Sequence, residues 1–484
     1  MLPTKQFLSA ALLLLSPSFG AATIDIGSYL SNTILVRDVA IIGGGSSGTY
    51  AAVQLKRSGY SVAVVEKAGR LGGHVDTYQD PATGAALDYG VVALLNTSVV
   101  RDYFSFFNEG LTTFTTDPSI TGVYANFKKD GKIAAPPATV PWADPAAVFA
   151  SLLGYGAQIS QYPFLVDGYN LPNPVPEDLL LPFGEFLSKH NLGALAGTFF
   201  NLVSGVGNLL ATTTLYVFKY VPKTTIDAFS GLGTPPLTST GNGFQALYNK
   251  AFAYLGSGAN VILNAKVRVI ERDGPRVLVA VTTPSGPKLI IAKELLVAVQ
   301  PKLSVLQEIG LDLTREERGI FGQFNNSYYW DIVIKNSGLP ADLSFTNADF
   351  DAPLGIAPLP GIQNISPARV KDLTLTYYTS PSSKTDAEVK ADVLATLARL
   401  RTANNFTAAG ASPAAPELVG FNNHQPFWLT VPPAAIASGF YGQLNGLQGK
   451  KKTWWTGATF VAHDSSAIWA WSEASLLPKL KAAL

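Results

Sequence analysis

The chain has 484 residues, 47% of them hydrophobic, with 35 basic and 34 acidic side chains and no cysteine. That length and apolar content suffice for two or three folding units with sizeable cores. The near-zero net charge gives no support for nucleic-acid binding, and the missing cysteines exclude disulfides and any cysteinyl attachment of a cofactor.

The first element, residues 1–20, reads as a secretory signal peptide. Lys5 supplies the positive end, Phe7 to Leu15 a short apolar stretch, and Ser18-Phe19-Gly20 a small-x-small cleavage site. The stretch is too short to span a bilayer well. N-x-S/T triplets at Asn96, Asn325, Asn364 and Asn405 are compatible with a glycoprotein that is secreted or held in the secretory lumen.

An apolar strand, Asp38-Val39-Ala40-Ile41-Ile42, then runs into Gly43-x-Gly45-Ser46-Ser47-Gly48. A helix follows, and Ser61-Val62-Ala63-Val64-Val65-Glu66 makes a second strand ending in an acid. This is the pattern of a dinucleotide-binding unit. Gly43 permits the tight turn, Gly45 lets the backbone approach a pyrophosphate, and Gly48 lets the helix pack closely on the strand. Ser47 lies in the first helical turn, where free N–H groups and the helix dipole favour phosphate. Glu66 is placed to accept hydrogen bonds from a ribose, and its charge argues against a 2′-phosphorylated nucleotide.

The chain continues Lys67-Ala68-Gly69-Arg70-Leu71-Gly72-Gly73-His74 and reaches Leu87-Asp88-Tyr89-Gly90. This run resembles the flavin-containing amine oxidase superfamily, in which Arg-x-Gly-Gly follows the ribose acid and a later Asp-x-Gly lies by the flavin. The resemblance implies FAD as cofactor, with Lys67, Arg70, Gly72, Gly73, His74, Asp88 and Gly90 beside it. Thr240 to Leu247 looks like the family's glycine turn before a helix. Val261 to Ile270 looks like the strand pair whose Val267 backbone meets the adenine, and Leu295 to Pro301 like its apolar strand ending in proline. Trp454-Trp455-Thr456-Gly457-Ala458 and the following helix, entered through Ser465, resemble the C-terminal flavin segment. Within the superfamily, Gly72-Gly73-His74 followed by Thr77-Tyr78-Gln79-Asp80-Pro81 looks like β-cyclopiazonate dehydrogenase-like fungal flavoproteins and, more distantly, polyenoic fatty acid isomerases. Two departures turn the reading away from amine oxidation. Thr459 stands where amine oxidases commonly carry glutamate, and the strand Asn326 to Ile332 offers no lysine before Lys335.

The implied architecture is α/β, an FAD-binding Rossmann-like domain of the amine oxidase/p-hydroxybenzoate hydroxylase type with an inserted α+β substrate domain. Residues 35–110, 235–300 and 415–484 are expected to assemble the first, and residues 111–234 and 301–414 the second. Within the insertions Glu177 to His190 and Asp386 to Arg401 read as helices, Asn326 to Ile334 and Leu373 to Thr379 as strands, and Thr402 to Pro416 as a loop returning to the FAD domain. Leu192 to Phe218 carries no charge, but glycines and asparagines interrupt it, and a membrane span there would separate segments that must build one FAD site. It reads as buried helices, so no integral membrane span is expected.

Only four histidines exist: His74, His190, His424 and His463. His74, next to the double glycine, is the candidate for orienting the flavin or for an 8α-histidyl link, non-covalent binding being the favoured state. His190 suits a helix end, and Asp464-Ser465-Ser466 suits the cap of the last helix. No HxH, HExxH or cysteine cluster is present, so no metal site is expected. Trp454, Trp455, Trp469 and Tyr328 are the candidate walls of the catalytic site, excluding water and holding a substrate C–H against flavin N5. The leading expectation is an FAD-dependent oxidoreductase, a dehydrogenase or oxidase. It would take a hydride from a hydrophobic small molecule, by dehydrogenation or oxidative cyclisation in secondary metabolism, and pass electrons to oxygen or another acceptor. A redox-neutral double-bond isomerase of an unsaturated lipid and a non-catalytic ligand carrier are the alternatives.

Overall fold

Ile34–Ile42 lies at the centre of a seven-stranded sheet, and Val39, Ala40 and Ile41 are fully buried. A continuous apolar run is what a parallel strand covered on both faces requires. It pairs in parallel with Val62–Val65 on one side and with Gly286–Val297 on the other, and Val261–Ile262 extends the sheet beyond Val62–Val65. The long strand Gly286–Val297 has two further neighbours. It pairs antiparallel with Val277–Thr283, which continues to Lys266–Glu271, and its last three residues pair in parallel with Thr453–Trp455. Strands from three separated stretches of the chain therefore share one sheet. The computed structural model describes residues 23–406 and 414–484, so the signal-peptide reading of residues 1–20 and part of the 402–416 loop fall outside the described residues.

The second sheet has six strands in the order Glu417–Asn423, Tyr328–Lys335, Leu373–Ser380, Gly361–Pro367, Leu343–Asn347 and Thr121–Ala125, antiparallel except for the last pair. The helix Asp386–Ala403 starts at a capping box formed by Thr385 and Glu388. Its Val389, Val393, Leu397 and Leu400 join Trp330, Ile332 and Ile334 in one apolar cluster, so the helix and sheet bury a common face. The inserted region is thus α+β. One boundary shifts, however. Glu417–Asn423 falls in the stretch 415–484 expected to belong to the FAD domain, but its backbone pairs with Tyr328–Lys335, so the second sheet extends to residue 423.

Glu177 to His190 is not one helix. A short turn of 3-10 helix, Glu177–Leu179, is separated from the helix Phe183–Lys189 by Pro182, which lacks the N–H a continuous helix would need. Leu192 to Phe218 folds as short buried segments, chiefly Ala196–Leu202 and Thr214–Tyr220, with Phe199, Leu215 and Val217 fully buried. Among the described residues no helix is long and apolar enough to cross a membrane.

Candidate active site

The glycine turn between the first strand and the helix Ser46–Arg57 is shaped by steric necessity. Gly43 has φ of +103°, and a Cβ on Gly48 would lie 2.0 Å from the carbonyl oxygen of Gly43, so only glycine lets this helix sit on this strand. A Cβ on Gly45 would instead meet nothing closer than Gly73 Cα at 3.8 Å. The face above Gly45 is open, and the first turn of the helix, with Ser46, Ser47 and Gly48, leaves N–H groups without intrahelical acceptors there. Glu66 stands buried at the end of its strand and accepts from Gly44 N–H and Ala68 N–H, both at 2.7 Å. A carboxylate has about four lone-pair sites, so ribose hydroxyls have acceptors left. Cradle, helix terminus and acid together fit the adenosine diphosphate part of FAD.

The double glycine lies against this turn. Gly72 N–H donates to Gly44 O at 2.9 Å, and a Cβ on Gly73 would stand 2.9 Å from Gly45 Cα. Arg70 reaches beneath the segment, donating to Val75 O at 2.9 Å and Gln245 Oε1 at 2.7 Å and pairing with Asp76. It braces the loop from below. Lys67 is exposed at its start, and Val267 sits on the edge strand that follows Ala265, whose N–H is tied to Glu66 O at 3.0 Å. Asp88 accepts from Phe244 N–H at 2.9 Å, Ser239 Oγ at 3.2 Å and Thr77 Oγ1, so its carboxylate pins the glycine turn before Gln245–Leu255. Gly90 is needed for a similar reason to Gly48: a Cβ there would lie 2.2 Å from His74 O.

The C-terminal segment closes the cradle. Gly457 has φ of +113°, and a Cβ on it would stand 3.6 Å from Ser47 Oγ. Ala458 follows, half-buried, and Asp464 caps the helix Ser465–Trp471 by accepting from Ala467 N–H at 2.7 Å. Ser46 Oγ and Ser465 Oγ meet at 2.8 Å, joining the N-terminal turns of the first and last helices.

Beside the double glycine, three of the four histidines converge. The rings of His74 and His424 have centroids 4.2 Å apart, Phe427 packs 5.6 Å from His74 and 4.8 Å from His463, and Trp428 stacks on His463 at 4.3 Å and 11°. Tyr329 packs on Phe427 at 4.7 Å and on His424 at 5.6 Å. His74 is exposed to the cleft, yet its low-dielectric surroundings, followed by the neighbouring His424, His463, Lys67 and Arg70, hold its pKa well below the usual imidazole range. Burial pushes His463 down to about 3. Both rings are therefore neutral at physiological pH. Trp428 also lines a cavity of about 300 Å³, bounded by Tyr216, Val206, Thr213, Asn325 and Asn326 and without a charged residue in its lining.

Of the four residues expected to wall the site, Trp454, Trp455 and Tyr328 are held elsewhere, and Trp469 lies with Ser465 at the cradle. Trp454 and Trp455 are held in the first sheet: the Trp454 indole donates to Glu294 Oε2 at 2.8 Å and Trp455, fully buried, packs on Phe321 at 4.7 Å. Trp469 stacks on Tyr50 of the first helix at 5.4 Å and donates to Ser46 Oγ at 3.0 Å, which makes it a support of the cradle. Tyr328 points to the wrong face of its strand. Side chains alternate along a strand, so Tyr328, Trp330 and Ile332 enter the cluster shared with Asp386–Ala403, while Tyr329 and Asp331 face the histidines.

Asp331 and His424 form a pair that sequence spacing conceals. His424 Nε2 lies 3.0 Å from Asp331 Oδ1 and 3.8 Å from Asp76 Oδ2, all three residues are buried, and the second oxygens, Asp76 Oδ2 and Asp331 Oδ2, have no hydrogen-bond partner. Burial and then Asp331 raise the Asp76 carboxyl to about 6, and Asp331 and Asp76 hold His424 above the usual range against the effect of burial. The expectation of no metal site rested on spacing along the chain. Here one donor atom from each of these three residues lies within 4.8 Å of the others, although Arg70 and His424 already engage two of the carboxylate oxygens.

The cradle, the double glycine against it and the α+β insertion define an FAD-dependent oxidoreductase of the amine-oxidase-type fold. Residues 41–109 match the family model for an NAD(P)-binding Rossmann-like domain. The chain is 36% identical over its whole length to the whole of the FAD-dependent oxidoreductase oblC of Cochliobolus heterostrophus. It is 32% identical to β-cyclopiazonate dehydrogenase of Aspergillus flavus over 90% of this chain and 91% of that one. Among solved structures it resembles a conjugated-linoleic-acid-producing fatty acid isomerase from P. acnes, with a TM-score of 0.72 at 20% identity, covering 91% of this chain and 98% of that one. It also resembles putrescine oxidase, with a TM-score of 0.62 at 17% identity over 92% of this chain and 100% of that one. The chain belongs to the family of FAD-dependent oxidoreductases that includes β-cyclopiazonate dehydrogenase.

Proposed function

We propose that this oxidoreductase dehydrogenates a neutral, hydrophobic small molecule, taking a hydride from a C–H bond in a step that makes C=C, C=N or a new ring. One observation carries the reading. Trp428 lines the uncharged cavity and stacks on His463, and ring contacts from His463 to Phe427 and from Phe427 to His74 carry the same aromatic wall to the double glycine. Its volume suits a small ligand, and its lining offers the side chains of Thr213 and Thr430 for orientation and contains no charged residue, the Lys302 ammonium lying behind Asn326 on its Oδ1. Bound FAD supplies a two-electron acceptor at N5, reoxidised by oxygen or another acceptor. Tyr329, Phe427 and Trp428 exclude water from the reacting face and restrict the substrate to orientations that present a C–H bond.

The test is direct. Purified protein is made anaerobic and mixed with uncharged polycyclic or unsaturated compounds, and the flavin absorbance is followed. Bleaching that reverses on admitting oxygen, with one acceptor consumed per turnover, supports dehydrogenation. Turnover with no acceptor consumed replaces it with isomerisation, and a protein that carries no flavin overturns it.

A secretory destination belongs to the same proposal. It rests on residues 1–20 and on the triplets, of which Asn325 is exposed at the cavity. Loss of mass on glycosidase treatment of secreted protein supports it, and full-length protein retained in the cytosol overturns it.

A further inference from the structure

Dehydrogenation removes two hydrogens, and only one of them leaves as hydride. When a C–H bond yields its hydrogen with the electron pair, the neighbouring C–H, N–H or O–H bond must release a proton so that its own pair becomes the new π or ring bond. The hydride pair passes to FAD and on to the electron acceptor. The proton needs a base, and the cavity lining supplies none, since it contains no charged residue and no histidine.

We infer that His424 is the proton acceptor of this site and that Asp331 is its positioning residue, an inference that rests on the dehydrogenase reading above. Asp331 Oδ1, 3.0 Å from His424 Nε2, fixes the tautomer: Nε2–H donates to the carboxylate, and the lone pair stands on Nδ1. Among the described residues the only hydrogen-bonding partner the ring has is Asp331, on Nε2, which leaves the Nδ1 lone pair uncommitted in a side chain that is 6% exposed. The ring packs 4.2 Å from His74, beside the double glycine. When Nδ1 takes the proton, the imidazolium that forms presents its Nε2 edge to two carboxylates, Asp331 at 3.0 Å and Asp76 at 3.8 Å.

The surroundings balance this exchange. Arg70 pairs with Asp76, so counted as full charges Arg70, Asp76 and Asp331 sum to one negative charge, which a proton on His424 cancels. His74 and Tyr329, the other titratable groups on His424, are neutral at physiological pH, His74 because its pKa is held down and Tyr329 because burial holds its phenol far up. Tyr377, opposite Asp331 on the paired strand, and Tyr89, which follows the strand Ala86–Asp88, are likewise held protonated by burial. The pair works as a base because its positive form is the better neutralised one.

With only four histidines in the chain, imidazole nitrogen NMR of the flavin-loaded protein resolves the question. The expected result is that His424 titrates above the ordinary imidazole range, carries its proton on Nε2 when neutral, and loses about one to two pH units in Asp331→Asn with flavin content unchanged. Asp76→Asn should lower it by a smaller amount. With a substrate that bleaches the flavin, His424→Gln should slow bleaching by about 10²–10⁴-fold, and Asp331→Asn should move the acid limb of the wild-type rate profile downward. His424 titrating normally in wild type, a proton fixed on Nδ1, or a metal ion bound at Nε2 would each overturn the inference. A colourless protein would instead overturn the flavoenzyme reading on which it rests.

Discussion

Ser46 and Ser465 are 419 residues apart in sequence, and their hydroxyls meet at 2.8 Å. Each is the first residue of its helix, so the positive ends of the first and last helices converge on one side of the first sheet. Trp469 reinforces the meeting by donating to Ser46 from one turn further along the last helix. The nucleotide cradle is therefore made from both ends of the described chain.

Gly45→Val and Gly48→Val should fail in different ways. At Gly45 the added atoms enter open space, so the protein should fold and purify without yellow colour. At Gly48 a Cβ would stand 2.0 Å from backbone, so the sheet and helix must part and the protein should be unstable or insoluble. Flavin absorbance combined with a thermal melt separates the two outcomes.

Glu66→Ala should weaken FAD binding by about 10- to 100-fold, the worth of a charge-assisted hydrogen bond lost at a ribose. Turnover at saturating FAD should be nearly unchanged, because a ribose contact is the same in ground and transition states. Titration of apoprotein with FAD measures the first, and kinetics at excess FAD the second.

Arg272 has no exposed side-chain surface and holds Glu317 with two nitrogens, at 2.7 and 2.8 Å, and Asp312 with a third. Arg272→Ala leaves the buried Glu317 carboxylate without its counter-charge, while Asp312 keeps Lys451 at 3.3 Å, and should cost about 3–5 kcal/mol of stability, read as a lowered denaturant midpoint. Burial raises the Glu317 pKa, but Arg272 more than offsets this and holds it below the usual range. The stabilisation is then complete above the unfolded value of about 4.3 and is lost as pH falls through the folded value. Wild type should therefore lose stability below about pH 4, and Arg272→Ala should lose less over the same interval.

His74 is neutral, is exposed to the cleft, and has no hydrogen bond on either ring nitrogen. A free imidazole lone pair beside the flavin segment is what an 8α-histidyl link needs, and acid precipitation distinguishes that link from the non-covalent state expected from the sequence. For the linked state, acid precipitation of wild type should leave the yellow colour in the pellet, and His74→Ala should release it to the supernatant. Colour released from wild type would show that the ring only packs against the cofactor.

Tyr329→Ala should impair substrate binding and turnover with a modest loss of stability. Tyr328→Ala, one residue away on the opposite face, should leave both unchanged apart from packing. Comparing flavin bleaching rates in the two variants decides which face of the strand meets substrate.

The nucleotide half of the site was legible because its constraints are local. Gly43, Gly45, Gly48, Glu66 and the double glycine fall within a short run, and the structure gives each but Gly45 a steric or hydrogen-bonding reason at that position, Gly45 instead keeping the face above it open. The substrate half was not. His424, Asp331 and Asp76 come from three distant segments, and no spacing rule joins them. Tryptophans near the C-terminal glycine looked suitable by proximity in sequence, but pairing of Thr453–Trp455 in the first sheet turns them into its core. The choice between Tyr328 and Tyr329 was a question of strand phase. Asp331 could have settled it, since a lone acid in that aromatic run marks the face with polar partners.

The strand Thr453–Trp455 docks on Gly286–Val297, which itself lies against Ile34–Ile42. That stacking order sets a time at which the cradle closes. Emerging nascent chain exposes the glycine turn early, but the wall that Gly457 and Ser465 place over Ser46 and Ser47 exists only after the C-terminal strand and helix have left the ribosome. The full cradle is thus completed late in synthesis, and shortened products that lack the C-terminal strand and helix are expected to lack its closing wall.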